Sequence, residues 1–378
     1  MPNLFIASGI FHPESGGPAT YLREILPHLQ ERDWDVRLLT FADHGAAGGD
    51  YPYPVTRIPR THLLTRMSAY AMTARPLLAW ADVTYIHSLG LPLIGGKAPR
   101  VAKIVGDPAW ERAIRKGWTA PTTDVDAFQT AQYRLPVQID KAKRAREAAH
   151  LDAIIVPSEY LKRMVVGWGA DSSHVHVIYN AMPPAPRTAL PPLAEARQRL
   201  GLLPDVPTLL TVGRILPWKG VDHVIRAVAR LPDVHLIVAG DGGELDSLRR
   251  LAQSLKAADR VTFTGNIDRA QVDMYMRAAD YTALYSGYEG LSHTLLESLR
   301  AGTPCIASDK GGNPEVIRHD ENGLLVPYID ADALTETIRD AFAPGKRDQL
   351  AANAHMGMER FDFTRMVDAT HRVLTRFG

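Results

Sequence analysis

The chain has 378 residues, 46% of them apolar and 22% charged, and its 43 basic and 42 acidic side chains leave a formal net charge of +1. That length exceeds what one core usually supports and predicts two domains or one large α/β unit, while the near-neutral balance argues against a general nucleic-acid binder. The single cysteine, Cys305, excludes an internal disulfide and a cysteine-built zinc cluster.

The opening MPNLFIASGIFHPESGG has no basic segment ahead of an apolar core, and no later apolar run approaches the roughly 18 to 20 residues of a membrane span. A cytoplasmic protein, soluble or weakly membrane-associated, is expected. Short β-branched runs then alternate with amphipathic stretches, the pattern of βαβ units and a parallel sheet. Strands are predicted in the first half at NLFIAS, DVRLLTF, VTYIHS, RVAKIV, AIIVPS and VHVIYN. THLLTRMSAYAMTARPLLAW, with apolar residues at helical spacing and arginines at 66 and 75, reads as a packed helix rather than a contact for a lipid or hydrophobic acceptor, and the basic run KAKRAREAAH as a solvated helix face rather than a membrane contact. Prolines 183, 184, 186, 191 and 192 follow, a linker with one short helix. The second half repeats the scheme with TLLTVG, HLIVAG, RVTFTG, YTALYS, PCIASD and GLLVPY. After TLLTVG, Val221, Val224, Ile225, Val228 and Leu231 share one apolar helix face, and FDFTRMVDATHRVLTRFG predicts a closing helix.

In open parallel sheets the ligand crevice lies beyond the carboxyl ends of the strands. The unusual residues fall there: FHPESGG and GDPAWER in the first half, and GRILPWKG, GDGGE, SGYEGLSH and DKGGNPE in the second. Loops of this kind from both halves suggest two crevices facing each other across a hinge. In GRILPWKG, Arg214 and Lys219 put two cations at a helix start, where an anion would relieve the conflict with the dipole; a solvated basic loop is the alternative. In YEGLSHTLLESLRAGTP, Ser292 is a candidate N-cap, and Gly302 with Pro304 stops a helix running roughly from His293 to Ala301. Glu289 then lies ahead of that helix and Glu297 one turn inside it, so a pyrophosphate on the free amides would have a glutamate for hydroxyls on either side. Plain surface acids are the competing reading. Gly16 and Gly17 precede a helix opened by Pro18 and allow close backbone approach to a ligand, or form a structural turn.

Other signals fail. No GxGxxG follows the first strand and no GxxxxGK[ST] occurs. The strings Asp124-Val125-Asp126 and Asp330-Ala331-Asp332 precede helices and read as caps. His174 and His176 alternate on a strand without a third ligand, so no metal site is expected.

Taken together, TVGRILPWKG, YEGLSHTLLESLRAGTPCIAS, KGGNPEVI and NGLLVP, with HPESGG and LDAIIVPSEYLKRM more loosely, resemble the retaining glycosyltransferases of family 4, which have the GT-B fold. The family's motif of glutamate, seven residues, glutamate is matched by Glu289 and Glu297. The resemblance implies an N-terminal Rossmann-like acceptor domain over 1–182, a linker over 183–206 and a nucleotide-sugar domain over 207–360. It also implies a helix at 361–378 crossing back to the first domain. It gives Arg214, Lys219, Gly16, Gly17 and the amides of Leu291, Ser292, His293 and Thr294 to the donor diphosphate. Glu289 and Gly290 fall to the transferred sugar, and Glu297, Ile267 and Gly213 to the nucleoside.

Where many members carry a histidine after the fourth predicted strand, this chain has IVGDPAWER. Asp107 is therefore the expected catalytic and sugar-contacting substitute, accepting but not donating as a histidine does, with His87 a weaker replacement. The implied reaction is retaining and needs no metal or other cofactor. Its partners are a nucleoside diphosphate sugar, UDP favoured over GDP, and a small-molecule, glycan or lipid-linked acceptor hydroxyl. A sugar-nucleotide epimerase of GT-B-like fold and a non-catalytic sugar-nucleotide binder are the alternatives; a nicotinamide dehydrogenase is disfavoured by the missing glycine fingerprint.

Overall fold

A computed structural model describes residues 1–14, 16–43, 49–183 and 190–378. Part of the expected linker, residues 184–189, and Ser15 of HPESGG lie outside the described residues. The chain forms two compact units, one of Met1–Thr119, Phe128–Pro183 and Phe363–Gly378, the other of Ala120–Ala127 and Pro184–Asp362.

The first unit is built on seven strands: β1 (Asn3–Ala7), β2 (Asp35–Ala42), β3 (Val55–Pro59), β4 (Val83–Ile86), β5 (Arg100–Lys103), β6 (Ala153–Val156) and β7 (Val175–Val177). They pair in parallel in the order β3-β2-β1-β4-β5-β6-β7. Crossover helices cover both faces of such a sheet, so β4 and β6 are buried at every residue and read as continuous apolar runs. The sequence reading missed β3. Its YPYPVTRIPR context is dense in proline, which a ladder tolerates at an edge, and β3 is an edge strand. His174 closes the short turn Ser172–His174 ahead of β7, so only His176 of that pair is on the strand.

The helix Gly17–Gln30 packs Leu22, Ile25 and Leu29 on the sheet, and the helix Phe363–Leu374 adds Met366, Val367 and Leu374 to the same core. Arg32 reaches Asp368 at 2.6 Å, and Trp34 Nε1 donates to His371 Nδ1 at 3.1 Å. The helix Leu63–Trp80 buries Tyr70, Ala74 and Leu78. The basic run in the helix Leu135–Ala149 is solvated at Lys143 and Arg146, as expected, but not throughout. Arg144 is buried, and Lys141 Nζ donates to the carbonyls of Phe128 and Ala131 at 2.9 and 3.0 Å.

The second unit has six strands: β8 (Thr208–Val212), β9 (His235–Ala239), β10 (Val261–Gly265), β11 (Tyr281–Leu284), β12 (Cys305–Ser308) and β13 (Gly323–Val326). Their order is β10-β9-β8-β11-β12-β13, again with every pair parallel. Each lies on a run read from the sequence, and both units are therefore Rossmann-like α/β layers. The helix Val221–Ala229 buries Val221, Val224, Ile225 and Val228, with Leu231 just beyond it. Cys305 is fully buried in β12, and burial pushes its thiol up to about 12, which makes it a packing residue rather than a nucleophile.

Lys103, at the end of β5, is 4% exposed, and its Nζ lies 4.0 Å from the centre of the Tyr21 ring. Its amine has no hydrogen-bond partner among the described residues, and burial lowers its pKa to about 7. The folded protein thus sheds this proton near neutrality, while the unfolded chain holds it up to about pH 10.4. The unfolded state binds more protons across that window, so this group makes stability rise with pH by up to about 1.4 kcal/mol per unit. Denaturant unfolding between about pH 7 and pH 9 should show the wild type gaining on Lys103→Met by up to that slope. Parallel curves would mean that the lysine stays charged in the fold.

Candidate active site

In the second sheet β8 and β11 are neighbours, and the chain continues from β8 to β9 on one side and from β11 to β12 on the other. This is where a doubly wound sheet opens a crevice at its carboxyl edge, and the loops that line it follow β8 and β11. The first runs from Gly213 to the tight turn Pro217–Lys219. Its backbone is clamped to the loop after β9: Gly213 N–H donates to Ala239 O at 3.0 Å and Ile215 N–H to Asp241 O at 2.8 Å. A Cβ at Gly240 would stand 1.9 Å from the Gly213 carbonyl oxygen and one at Gly242 2.1 Å from that of Ile215. Only glycine permits that approach. The second loop joins the first through Gly287 N–H, which donates to Trp218 O at 2.8 Å.

These constraints bring Lys219 and Glu289 together, with Nζ 2.6 Å from Oε1 and side chains 22% and 13% exposed. Arg214 stands exposed near the start of the first loop. Leu291 and Ser292 are buried, while Gly290, His293 and Thr294 are half-buried at the start of the helix His293–Arg300. Ser292 occupies the N-cap position, but its hydroxyl makes no capping hydrogen bond, unlike the cap read from the sequence. Helix starts leave free N–H groups and partial positive charge, so this end suits an anion.

One turn inside, Glu297 Oε1 lies 3.4 Å from Arg269 Nη2. Arg269 opens the helix Arg269–Ala278, whose N-cap, Asp268, forms a capping box with Gln271. Ile267, just ahead of it, packs against the cluster containing Leu210 and Ile237. The sequence reading missed Arg269, although the Asp-Arg-Ala-Gln pattern of a capping box marks it as a first-turn residue.

Gly16 and Gly17 lie in the first unit, as the N-cap and first residue of the helix after β1. Asp107 is the buried N-cap of the helix Pro108–Arg115. Its Oδ1 accepts from Ala109 N–H at 2.9 Å and Trp110 N–H at 3.2 Å, and its Oδ2 from Gln129 Nε2 at 3.0 Å and from the Arg144 guanidinium. Arg144 stacks 4.2 Å from the centre of the Trp168 ring, and Trp168 Nε1 donates to Gln129 Oε1 at 2.9 Å. Both carboxylate oxygens are thus engaged by the protein, and a sugar hydroxyl would have to compete for them. An Asp-Pro pair ahead of an amphipathic run is a helix-start signature, and it was the legible sign of this role. His87 is likewise buried, beside Tyr85.

The two aspartate strings act as caps: Asp124 accepts from the amides of Asp126 and Ala127, and Asp330 from that of Ala333, each at 2.9 Å. Among the described residues, no three His, Cys, Asp or Glu side chains are grouped to hold a metal ion, and no helix is long and apolar enough to cross a membrane.

Removing one partner of a buried ion pair leaves the other uncompensated, at about 3 to 5 kcal/mol. Arg144→Met should therefore lower the unfolding free energy in urea by roughly 3 kcal/mol. A loss below about 1 kcal/mol, the range of exposed pairs, would contradict the buried network.

Residues 15–185 match the family described as Glycosyltransferase Family 4, and residues 194–355 match Glycosyl transferases group 1. The lipopolysaccharide core biosynthesis glycosyltransferase LpsE of Rhizobium meliloti is 35% identical over 164 residues, covering 43% of this chain and 48% of that protein. The chain thus spans about half the length of that relative. A GDP-mannose-dependent alpha-(1-6)-phosphatidylinositol monomannoside mannosyltransferase of Mycolicibacterium smegmatis is 27% identical over 368 residues, 91% of this chain and 90% of that one. The solved structure of Anabaena HepE in complex with UDP and glucose is 21% identical, with a TM-score of 0.78 across all of both chains, a likeness of fold. Both parallel-sheet units are thus matched by glycosyltransferase family models, residues 15–185 by one and 194–355 by the other, and the fold is that of the GT-B glycosyltransferases.

Proposed function

We propose that the protein is a retaining glycosyltransferase that moves a sugar from a nucleoside diphosphate sugar to an acceptor hydroxyl without a metal ion. The observation that carries this reading is the Lys219–Glu289 pair, set at the carboxyl edge between β8 and β11 beside a helix start. In the proposed complex Arg214, Lys219 and the amides of Leu291 to Thr294 hold the diphosphate. Glu289 and Gly290 meet the transferred sugar, Glu297 takes the ribose hydroxyls, and Gly213 and Ile267 flank the base. A diphosphate arriving at Lys219 would share its ammonium with Glu289 and free a carboxylate oxygen for a sugar hydroxyl.

Charge developing on the leaving diphosphate falls on groups already oriented, a form of stabilisation worth a few kcal/mol per donor. On the proposed front-face route the departing phosphate oxygen takes the acceptor proton as the new glycosidic bond forms. No side chain then acts as nucleophile. Because both oxygens of Asp107 are occupied, we assign it to holding the corner after β5 rather than to the sugar. The UDP of the HepE structure and the GDP-mannose of the mycobacterial relative both support a nucleoside diphosphate donor, and the donor panel must include both.

Calorimetric titration with UDP, GDP and their sugars, together with turnover using phosphatidylinositol mannoside and free glycans as acceptors, tests the proposal. Arg214→Ala and Glu297→Ala should weaken nucleotide binding about tenfold or more, the scale of a lost charge-assisted hydrogen bond. Glu289→Ala should reduce turnover far more than binding. EDTA should leave the rate unchanged, and a product of inverted anomeric configuration, or activity restored only by magnesium, would overturn the mechanism.

A further inference from the structure

We infer that Asp124 and Lys310 are positioning residues for Glu289: their ion pair fixes the loop against which the Glu289 backbone is seated. The inference rests on the donor-site reading above for its functional meaning and on geometry alone for the coupling.

The loop after β12, residues 309–313, runs directly behind Glu289. Gly312 N–H donates to Glu289 O at 2.8 Å. A Cβ at Gly311 would lie 2.2 Å from the Glu289 carbonyl oxygen, and one at Gly312 2.4 Å from that of Gly290. Backbone thus rests on backbone, and neither segment shifts without the other. The loop is pinned at both ends: Asp309 Oδ1 accepts from Tyr328 N–H at 3.1 Å, and Asn313 Nδ2 donates to Ser308 O at 3.2 Å and Ser308 Oγ at 3.1 Å.

Between those pins Lys310 Nζ lies 2.8 Å from Asp124 Oδ2, the two side chains 30% and 31% exposed. Asp124 belongs to Ala120–Ala127, a stretch that clusters with the second unit although the chain before and after it belongs to the first. Its other oxygen, Oδ1, holds the amides of Asp126 and Ala127, so the carboxylate is oriented before it meets the lysine. The hydrogen bond to Asp124 holds the Lys310 ammonium above its ordinary range, which keeps it charged at neutrality. An isolated surface pair contributes little to global stability. This one acts locally, one residue from Gly311.

The test uses the full chain. Asp124→Asn removes the charge while keeping a side chain that caps a helix equally well. Lys310→Met removes the cation, Lys310→Arg retains it, and the double variant Asp124→Asn/Lys310→Met closes a cycle. Binding of UDP, UDP-glucose, GDP and GDP-mannose is measured by calorimetry, and hydrogen exchange at the Gly312 amide is followed without ligand. Each charge-removing variant should lose about fivefold in affinity for the nucleotide sugar and about twofold or less for the bare nucleotide. Exchange at Gly312 should quicken, the double variant should be no worse than either single one, and Lys310→Arg should behave as wild type. Unchanged exchange, equal losses for sugar and nucleotide, or additive effects would each overturn the inference. If wild type binds no nucleotide sugar while exchange still responds, the donor reading fails and the coupling to Glu289 stands.

Discussion

A doubly wound parallel sheet offers one position where neighbouring strands send the chain in opposite directions, and in the second unit that position separates β8 from β11. The other features of the candidate site depend on this constraint. The loop after β8 must turn into a helix toward β9, which delivers Lys219; the loop after β11 must turn the other way, which delivers Glu289 and the start of the helix His293–Arg300. Their ion pair neutralises two half-buried charges in advance of any ligand. An incoming anion then meets a cation already oriented, with little side-chain entropy left to lose.

The strands and the apolar helix faces were legible because burial imposes a period on the side chains. Val221, Val224, Ile225 and Val228 announce their helix for that reason, and YTALYS announces a strand covered on both sides. β3 was hidden because an edge strand needs only one partner and tolerates the prolines that elsewhere signal a loop. In the candidate site, residues local to a strand end, such as Arg214, Lys219, Glu289 and Glu297, could be picked out. Pairings across the fold could not: no spacing in the sequence links Glu297 to Arg269 or Asp107 to Arg144, since such contacts depend on how helices stack.

The first unit handles buried charge in two contrasting ways. Asp107 is given two amides, an amide side chain and a guanidinium, and that guanidinium lies over a tryptophan ring. Lys103 has only the face of Tyr21. Each oxygen of the first is met by a donor, whereas an amine buried against an aromatic ring without a hydrogen-bond partner relieves its burial by giving up the proton. Both groups sit at the carboxyl end of β5, so the electrostatic character of that edge comes from side chains the surface does not display.

The contact of Gly240 and Gly242 with the carbonyls of Gly213 and Ile215 makes the segments after β8 and β9 a single slab of main chain. Swapping the Arg214-containing segment for that of a distant homologue would therefore transplant half of a joint. A chimera that exchanges this segment has to carry residues 240–242 along with it, or the graft will lack the surface it was shaped against.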